Sequence, residues 1–496
     1  MSQSKETKYE FLADDPNFKT LPVVTALIIG VFFVMLNETL LNIALTTLMH
    51  EFDVTLSTVQ WVATGFMLVM GIVIPISALL MQWLTTRQLF IGTMIVFTVG
   101  TMIAAAAPTF SILLIGRLIQ AVGTGLVLPN IINVFLLIYP PEKRGKTMGI
   151  VGLVIMFAPA VGPTLSGVIV EYLGWRFLFI SVIPFTLFSI LFAYKYLVNV
   201  SELTKPKIDW LSILLSTIGF GATIYGFSSV GESESGFLTS TVLISLSIGV
   251  TSIILFAIRQ CKIEEPLMDL RVFKLPMFSH AVVMFVIIVM TMFASELILP
   301  VFMQGPMALT AATAGLLLLP GSILNGMLSP FMGALFDKVG PRVMMIPATI
   351  VLAGTMFMFS RLTAETSPWV MIVGFMLIMI SVSATMMPAQ TNGLNQLPKH
   401  LYPHGTAVMS TLQPLSGAIG VSVFISMLNA RQESYLESDA NPTSPASMTQ
   451  AMVAGVGHVY FIIFIITVLA VILSFIVYRA RPLDEDGAIK KDSQVN

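Results

Sequence analysis

Glu38 and Glu296 are the two acidic residues that ordinary solvation does not explain. Of the 26 Asp and Glu residues, 24 lie in polar gaps or at the edges of apolar runs, and these two do not. Glu38 falls deep within a run that begins near position 22, and Glu296 falls at a similar depth in one that begins near position 278. A carboxylate held away from water resists ionisation, because desolvation penalises its charged form. Such a group can load and release a proton near neutral pH, or hold a cation while ionised. The alternative is a structural carboxyl, kept protonated or paired. Arg117 is the one basic residue well inside an apolar run, in Leu114-Ile-Gly-Arg-Leu-Ile-Gln120-Ala-Val-Gly123-Thr-Gly125. It must face a protein interior and find acceptors. There it either braces neighbouring helices or couples to proton movement at a nearby acid. Asn37, Asn42, Asn130, Asn133, Gln390, Asn392, Asn395 and Gln413 are polar residues in apolar surroundings. They are candidates to line a cavity, or else to hydrogen-bond helix to helix.

Other chemistry is poorly supported. No catalytic constellation is visible. A phosphate-binding Gly-x-x-x-x-Gly-Lys loop is absent, so no built-in ATP hydrolysis is expected. His400 and His404 stand four apart but straddle a Pro-containing loop, so no metal site is expected. The single Cys261 excludes a disulfide scaffold. A net charge of −1 without a basic stripe excludes nucleic acid as a partner. No cofactor is expected. The polar stretch 1–20 does not read as a secretory signal.

The elements that must position these groups follow from composition. Apolar residues make up 56% of the 496 and charged residues 10%, too few charges to cover a soluble surface. Fourteen runs are long enough to span a bilayer as helices: 22–45, 58–80, 88–107, 111–138, 147–170, 177–197, 210–230, 238–258, 278–303, 312–336, 343–361, 369–393, 404–429 and 453–478. They are continuous rather than alternating, which argues against a β-barrel. With both termini cytoplasmic, 21 of the 25 Lys and Arg residues fall on inside segments and three outside. That bias supports an even number of spans. The gaps 259–277 and 430–452 are the longest, the second rich in Ser, Asn and Pro.

The chain also repeats itself. Gly333-Ala-Leu-Phe-Asp337-Lys338-Val-Gly340-Pro-Arg342 follows the tenth run, and Ser77-Ala-Leu-Leu-Met-Gln82-Trp-Leu-Thr-Thr-Arg87 follows the second. The expected organisation is a cytoplasmic tail 1–20, an N-terminal six-helix half 21–200, two inserted helices 201–262, a C-terminal six-helix half 263–480 and a tail 481–496. A substrate site then lies between the halves near the midplane. Gly149-Ile-Val-Gly152 and Ala158-Pro159-Ala-Val-Gly162-Pro163-Thr-Leu-Ser166-Gly167 put small residues and bends in the fifth run. They suit either tight packing or a rocking contact. Leu415-Ser-Gly417-Ala-Ile-Gly420 is a partial counterpart.

These segments resemble the major facilitator superfamily, in particular its fourteen-helix drug:proton antiporters, over about residues 20–480. Leu114–Gly125 looks like the family's fourth-helix motif. Pro159, Gly162, Pro163 and Gly167 look like its fifth-helix antiporter motif, with Ala158 and Ser166 in place of two glycines. Trp175-Arg176-Phe177 and Pro184 resemble the start of its sixth helix. Gly333, Asp337, Lys338, Gly340 and Arg342 match its gating-loop motif. In the first half that motif has Met81 where its Asp is expected, so a gating salt bridge would lean on Asp337. The first-helix motif is also shifted. It reads Leu36-Asn37-Glu38-Thr39-Leu-Leu-Asn42, which moves the acid one position, or about 100° around the helix. This variant, with Pro388–Pro398 and Tyr402–Thr406, is similar to the lincomycin-resistance branch of Gram-positive exporters.

The resemblance implies an all-α polytopic transporter in a bacterial plasma membrane, working as a monomer. It would export amphipathic or cationic drugs in exchange for protons, with the proton gradient as its energy source. Glu38, Glu296 and Arg117 would couple the proton, and Asn37, Asn42, Asn133, Gln390, Asn392 and Gln413 would line the cavity. Its partners would be small-molecule substrates, protons and the bilayer. A dedicated exporter of an anionic metabolite on the same fold is the alternative.

Overall fold

A computed structural model describes residues 12–15, 20–41, 44–54, 56–201, 203–230, 236–439, 441 and 443–481. These form sixteen α-helices and no strands: α1 Thr20–Leu40, α2 Leu45–Glu51, α3 Leu56–Trp83, α4 Thr86–Ala105, α5 Phe110–Ile138, α6 Arg144–Leu173, α7 Phe177–Ile180, α8 Ile183–Tyr196, α9 Trp210–Val230, α10 Ser240–Gln260, α11 Pro276–Gln304, α12 Ala311–Val339, α13 Pro341–Phe359, α14 Pro368–Asn395, α15 Tyr402–Glu437 and α16 Pro445–Ile476. Local chemistry sets the starts. Thr85 and Gln88 close a capping box at α4, and Thr310 and Ser444 cap α12 and α16. Proline occupies the first turn of α11, α13, α14 and α16, where its missing N–H costs nothing.

Each apolar run of the sequence corresponds to a helix, with three corrections. The first run stops at Leu40 rather than 45, and a short α2 follows. The sixth run is divided between α7 and α8, with Pro184 in the first turn of α8. The stretch 430–452 is not a loop. α15 continues to Glu437 and α16 begins at Pro445, because caps and propensity extend a helix where hydropathy has already fallen. Among the described residues thirteen helical segments are long and apolar enough to cross a membrane. α6 has 30 residues, packs against α1 and α12, and exposes Leu165, Val168 and Leu173 toward its end.

Helices α1 to α8 pack mainly among themselves, as do α11 to α16. Between these groups α6 runs along α12, and α15 touches α3 and α5. α9 lies on both α3 and α15, with the Ser422 hydroxyl donating to the Phe227 carbonyl at 2.6 Å, and α10 packs on α9. The outer face of α10 exposes Leu243, Ile244, Ile248 and Leu255, as a lipid-facing helix does.

Asp209 and Arg259 tie the inserted pair together in a bidentate contact of 2.6 and 2.9 Å. Asp209 also accepts the Ser212 hydroxyl at 2.6 Å and the Leu211 backbone N–H in the first turn of α9. The Arg259 guanidinium holds the Asp209 carboxyl down at about 2. A depressed acid stabilises the fold above its unfolded value, about 3.9, and that contribution fades as pH falls through 2. Asp209→Asn is expected to lower the unfolding temperature at neutral pH, with the gap to wild type closing between pH 4 and 2. The loss is about 1 kcal/mol at most for so exposed a pair. A gap that persists at pH 2 would refute the assignment.

Candidate functional site

Arg117 lies on α5 with its side chain sealed from water. Its Nη1 donates to Asn37 Oδ1 on α1 and to Gln120 Oε1, both at 3.1 Å. The Gln120 amide nitrogen donates to Asn37 Oδ1 at 3.1 Å and to the Thr101 hydroxyl on α4 at 2.7 Å. The Phe66 ring lies under the guanidinium, 4.2 Å away, a favourable cation–π distance. Arg117 Nε has no partner among the described residues. Asn37, a cavity candidate from the sequence, is therefore the acceptor that orders Arg117. The acid next to it, Glu38, makes no hydrogen bond to Arg117 among the described residues and acts on it through space. Moving the acid one position along α1 thus gives Arg117 a neutral partner and leaves the carboxylate available.

Glu38 is partly exposed near the end of α1, and Glu296 is exposed two turns before the end of α11. Neither joins a hydrogen bond or ion pair found among the described residues. The other candidates disperse. Asn392 is engaged at both ends, donating to the Tyr478 carbonyl and accepting from the Ala480 N–H, each at 2.9 Å. It clamps the chain after α16. Asn395 accepts from Arg144 at 2.9 Å. Gln390 is buried on α14 and Gln413 is half-buried on α15. Asn130 and Asn133 are buried on α5, each with one amide atom unpartnered among the described residues. Asn42 lies outside the described residues. So do the side chains of Pro159 and Pro163 and the surroundings of Gly167, although the backbone there is helical. Gly162 is buried in α6. The Ser166 hydroxyl, in the place of a motif glycine, donates to the Leu40 carbonyl at the last turn of α1.

α6 and α12 approach each other closely at the end of the bundle that the Lys and Arg sorting assigns to the cytoplasm. Gly333 and Gly145 meet backbone to backbone, and Gly149 lies against the Ser329 carbonyl. Both oxygens of Asp337 accept N–H groups from the first turn of α6, Gly145 and Lys146, each at 2.8 Å. The expected gating salt bridge is thus a helix cap. A carboxylate satisfies two orphan donors and faces the positive end of the helix dipole. Lys338 and Arg342 are exposed, and Arg479 instead donates to the Asp337 carbonyl oxygen at 2.9 Å. Gly340 sits at φ +79, joining α12 to α13 in a conformation that suits only glycine.

Arg144, counted in the sequence as a loop charge, is fully buried. It donates to Leu136 and Tyr139 carbonyls, Asn395 and the Tyr402 hydroxyl. It links the end of α5 to α14 and α15. At the degraded copy of the gating loop, Gln82 meets His404 at 3.3 Å, and His404 Nδ1 accepts the Asp269 N–H at 3.1 Å. The signal for both lay in the repeat. Arg144 opens α6 and Tyr402 opens α15, and the two starts are separated by nearly the same offset as the two gating loops.

Asp337→Asn keeps one acceptor for two donors and removes the charge. It is expected to weaken the closed seam by about 1–3 kcal/mol while hardly changing global unfolding. Maleimide labelling of a cysteine at Ser329 should accelerate accordingly, and an unchanged rate would show that the cap does not hold the seam.

A bundle of long apolar helices in two groups that meet along α6 and α12 is the architecture of a membrane transporter. The chain belongs to the Major Facilitator Superfamily, whose model matches residues 27–421. It is 48% identical over 464 residues to the lincomycin resistance protein LmrB of Bacillus subtilis, covering 94% of this chain and 97% of that one. It is 47% identical over 463 residues to LmrB of Listeria monocytogenes, covering 93% and 98%. Among solved structures, the proton:xylose symporter XylE superposes with a TM-score of 0.62 over 91% of this chain and 94% of that chain. At 13% identity that likeness is one of fold alone.

Proposed function

We propose that the protein is a proton-coupled antiporter that exports amphipathic, often cationic small molecules across a bacterial plasma membrane. The carrying observation is the pair Glu38 and Glu296. Each lies on the first helix of its helix group, within an apolar run of the sequence and without a hydrogen-bond partner among the described residues. The names of the LmrB relatives support drug export, and their hosts support a bacterial membrane. No cofactor is needed, because the proton gradient supplies the energy. The halves 21–200 and 263–480 rock about the α6–α12 seam. Closure of that seam at the charge-rich end fits a state open to the outside. Protonation of Glu296 or Glu38 from outside weakens the hold on a cation and promotes release. Deprotonation inside resets the cycle. Coupling arises because proton and substrate favour different states.

The test uses inside-out vesicles with an acidic lumen, challenged with lincosamides, cationic dyes and anionic metabolites. Cationic compounds should collapse the pH gradient with wild type. Glu296→Gln and Glu38→Gln should each cut this at least tenfold, and the double variant should abolish it. Uphill transport intact in the double variant would overturn the mechanism. Collapse by anions alone would overturn the substrate class.

A further inference from the structure

At the charge-rich end, the structure forms a partly open chamber of about 710 Å³. That volume lies in the range of small-molecule sites. Its walls are the ends of α3 and α5, the start of α15 and the two linkers that carry α9 and α10. The inserted pair therefore builds a compartment that two six-helix halves alone would lack. The chamber lies away from Glu38 and Glu296, neither of which lines it.

Two observations define its chemistry. The linker after α10 brings Glu264, Glu265 and Asp269 to the wall, against Lys399 from the start of α15. Asp269 is paired with Arg271 at 3.1 Å, and Glu265 accepts the Lys207 N–H at 2.7 Å. The exposed Glu264 carboxylate joins no bond found among the described residues. Independently, Asn133 of α5 lines the chamber with only 3% of its surface exposed, and its Oδ1 is sealed from water without a donor among the described residues. A buried carbonyl oxygen in that position calls for a hydrogen-bond donor. A free carboxylate at the rim calls for a cation. A protonated amine supplies both.

We propose that this chamber is a binding site for small protonated organic amines, distinct from the carboxylates at membrane depth. On the rocking motion proposed above, the site joins surfaces that move apart when the seam opens. Gln82 and His404, in contact across it, both line the chamber. An amine bound there has its full set of partners only in the closed arrangement, and so favours that arrangement.

The test is equilibrium binding of radiolabelled putrescine to the purified full-length protein in lipid nanodiscs. Putrescine carries an ammonium at each end, one for Asn133 and one for Glu264. Saturable binding should weaken at least tenfold in Glu264→Gln, an exposed position whose change should not disturb folding. It should weaken again in Asn133→Leu and be unchanged in Glu296→Gln. Seam labelling at a Ser329 cysteine should slow as putrescine is added. Absence of saturable binding would overturn the proposal. So would equal binding by Glu264→Gln, or loss in Glu296→Gln instead, which would place the amine at the membrane-depth site. Binding of glutarate in preference to putrescine would show an anion site at Lys399 and would equally refute it.

Discussion

Gly333→Val is expected to hold the α6–α12 seam open and to cut uphill transport at least tenfold while each helix group stays folded. A Cβ on Gly333 would strike the Gly145 carbonyl, and one on Gly145 would strike the Gly333 carbonyl and Asp337. Backbone cannot swing aside as a side chain can, so the two helices must separate. Separation also draws the Gly145 and Lys146 N–H groups away from Asp337. Overpacking costs about 1–3 kcal/mol, and two hydrogen bonds to a charged group add about 1.5–3 kcal/mol each. Both penalties fall on the closed arrangement. Even 3 kcal/mol shifts a two-state balance by roughly a hundredfold. The readout is labelling by a membrane-impermeant maleimide at Ser329→Cys, after replacement of the single exposed Cys261. Labelling should rise at least tenfold. Gly354→Val serves as the control, because a Cβ there meets nothing within 4 Å. Equal labelling in the two variants would remove the seam from the mechanism.

Arg117→Leu is expected to separate function from stability in the opposite sense, with transport lost and the fold kept. The guanidinium is buried with its acceptors Asn37 and Gln120. When it is removed, Asn37 Oδ1 keeps the Gln120 amide as donor, while Gln120 Oε1 loses the one donor it has among the described residues, at a cost of about 1–3 kcal/mol. Against that cost, the variant removes the desolvation penalty of a buried charge, several kcal/mol for an ion. The unfolding temperature should therefore stay near that of wild type. Transport should fall at least tenfold, because Glu38 loses the charge that acts on it. Arg117→Lys should not rescue it, since an ammonium is more strongly hydrated than a guanidinium and cannot stack its plane on the Phe66 ring. Glu38→Gln is the informative partner. It leaves the guanidinium without its acid and should lower the melting temperature more than Arg117→Leu does. A double-mutant cycle would measure the coupling. If Arg117→Leu unfolds the protein and Glu38→Gln does not, Arg117 is a brace and the coupling role fails.

Much of this molecule is legible in the chain itself. Whether a segment of about 20 residues prefers lipid to water is a local property. The apolar runs therefore foretell the helices, and the scarcity of charge inside them isolates Glu38, Glu296 and Arg117. The repeat of the gating loop and the motifs around Arg117 and Pro159 likewise lie in contiguous residues, and they point to the superfamily. Hydropathy alone misjudged the ends of α15 and α16, because capping by Ser444 and Pro445 carries a helix beyond the apolar stretch.

Tertiary structure decided which polar groups meet. Asn37 and Asn392 look alike in sequence, yet one orders Arg117 and the other clamps Tyr478 and Ala480. Arg144 reads as a loop charge and is a buried tie between α5, α14 and α15. Asp337 reads as half of an ion pair and caps a helix 192 residues away in the chain. These outcomes depend on the approach of helices remote in sequence, set by where small residues such as Gly145 and Gly333 let backbones touch. A buried polar atom must be satisfied by whatever that packing brings within about 3 Å, and no local spacing encodes it.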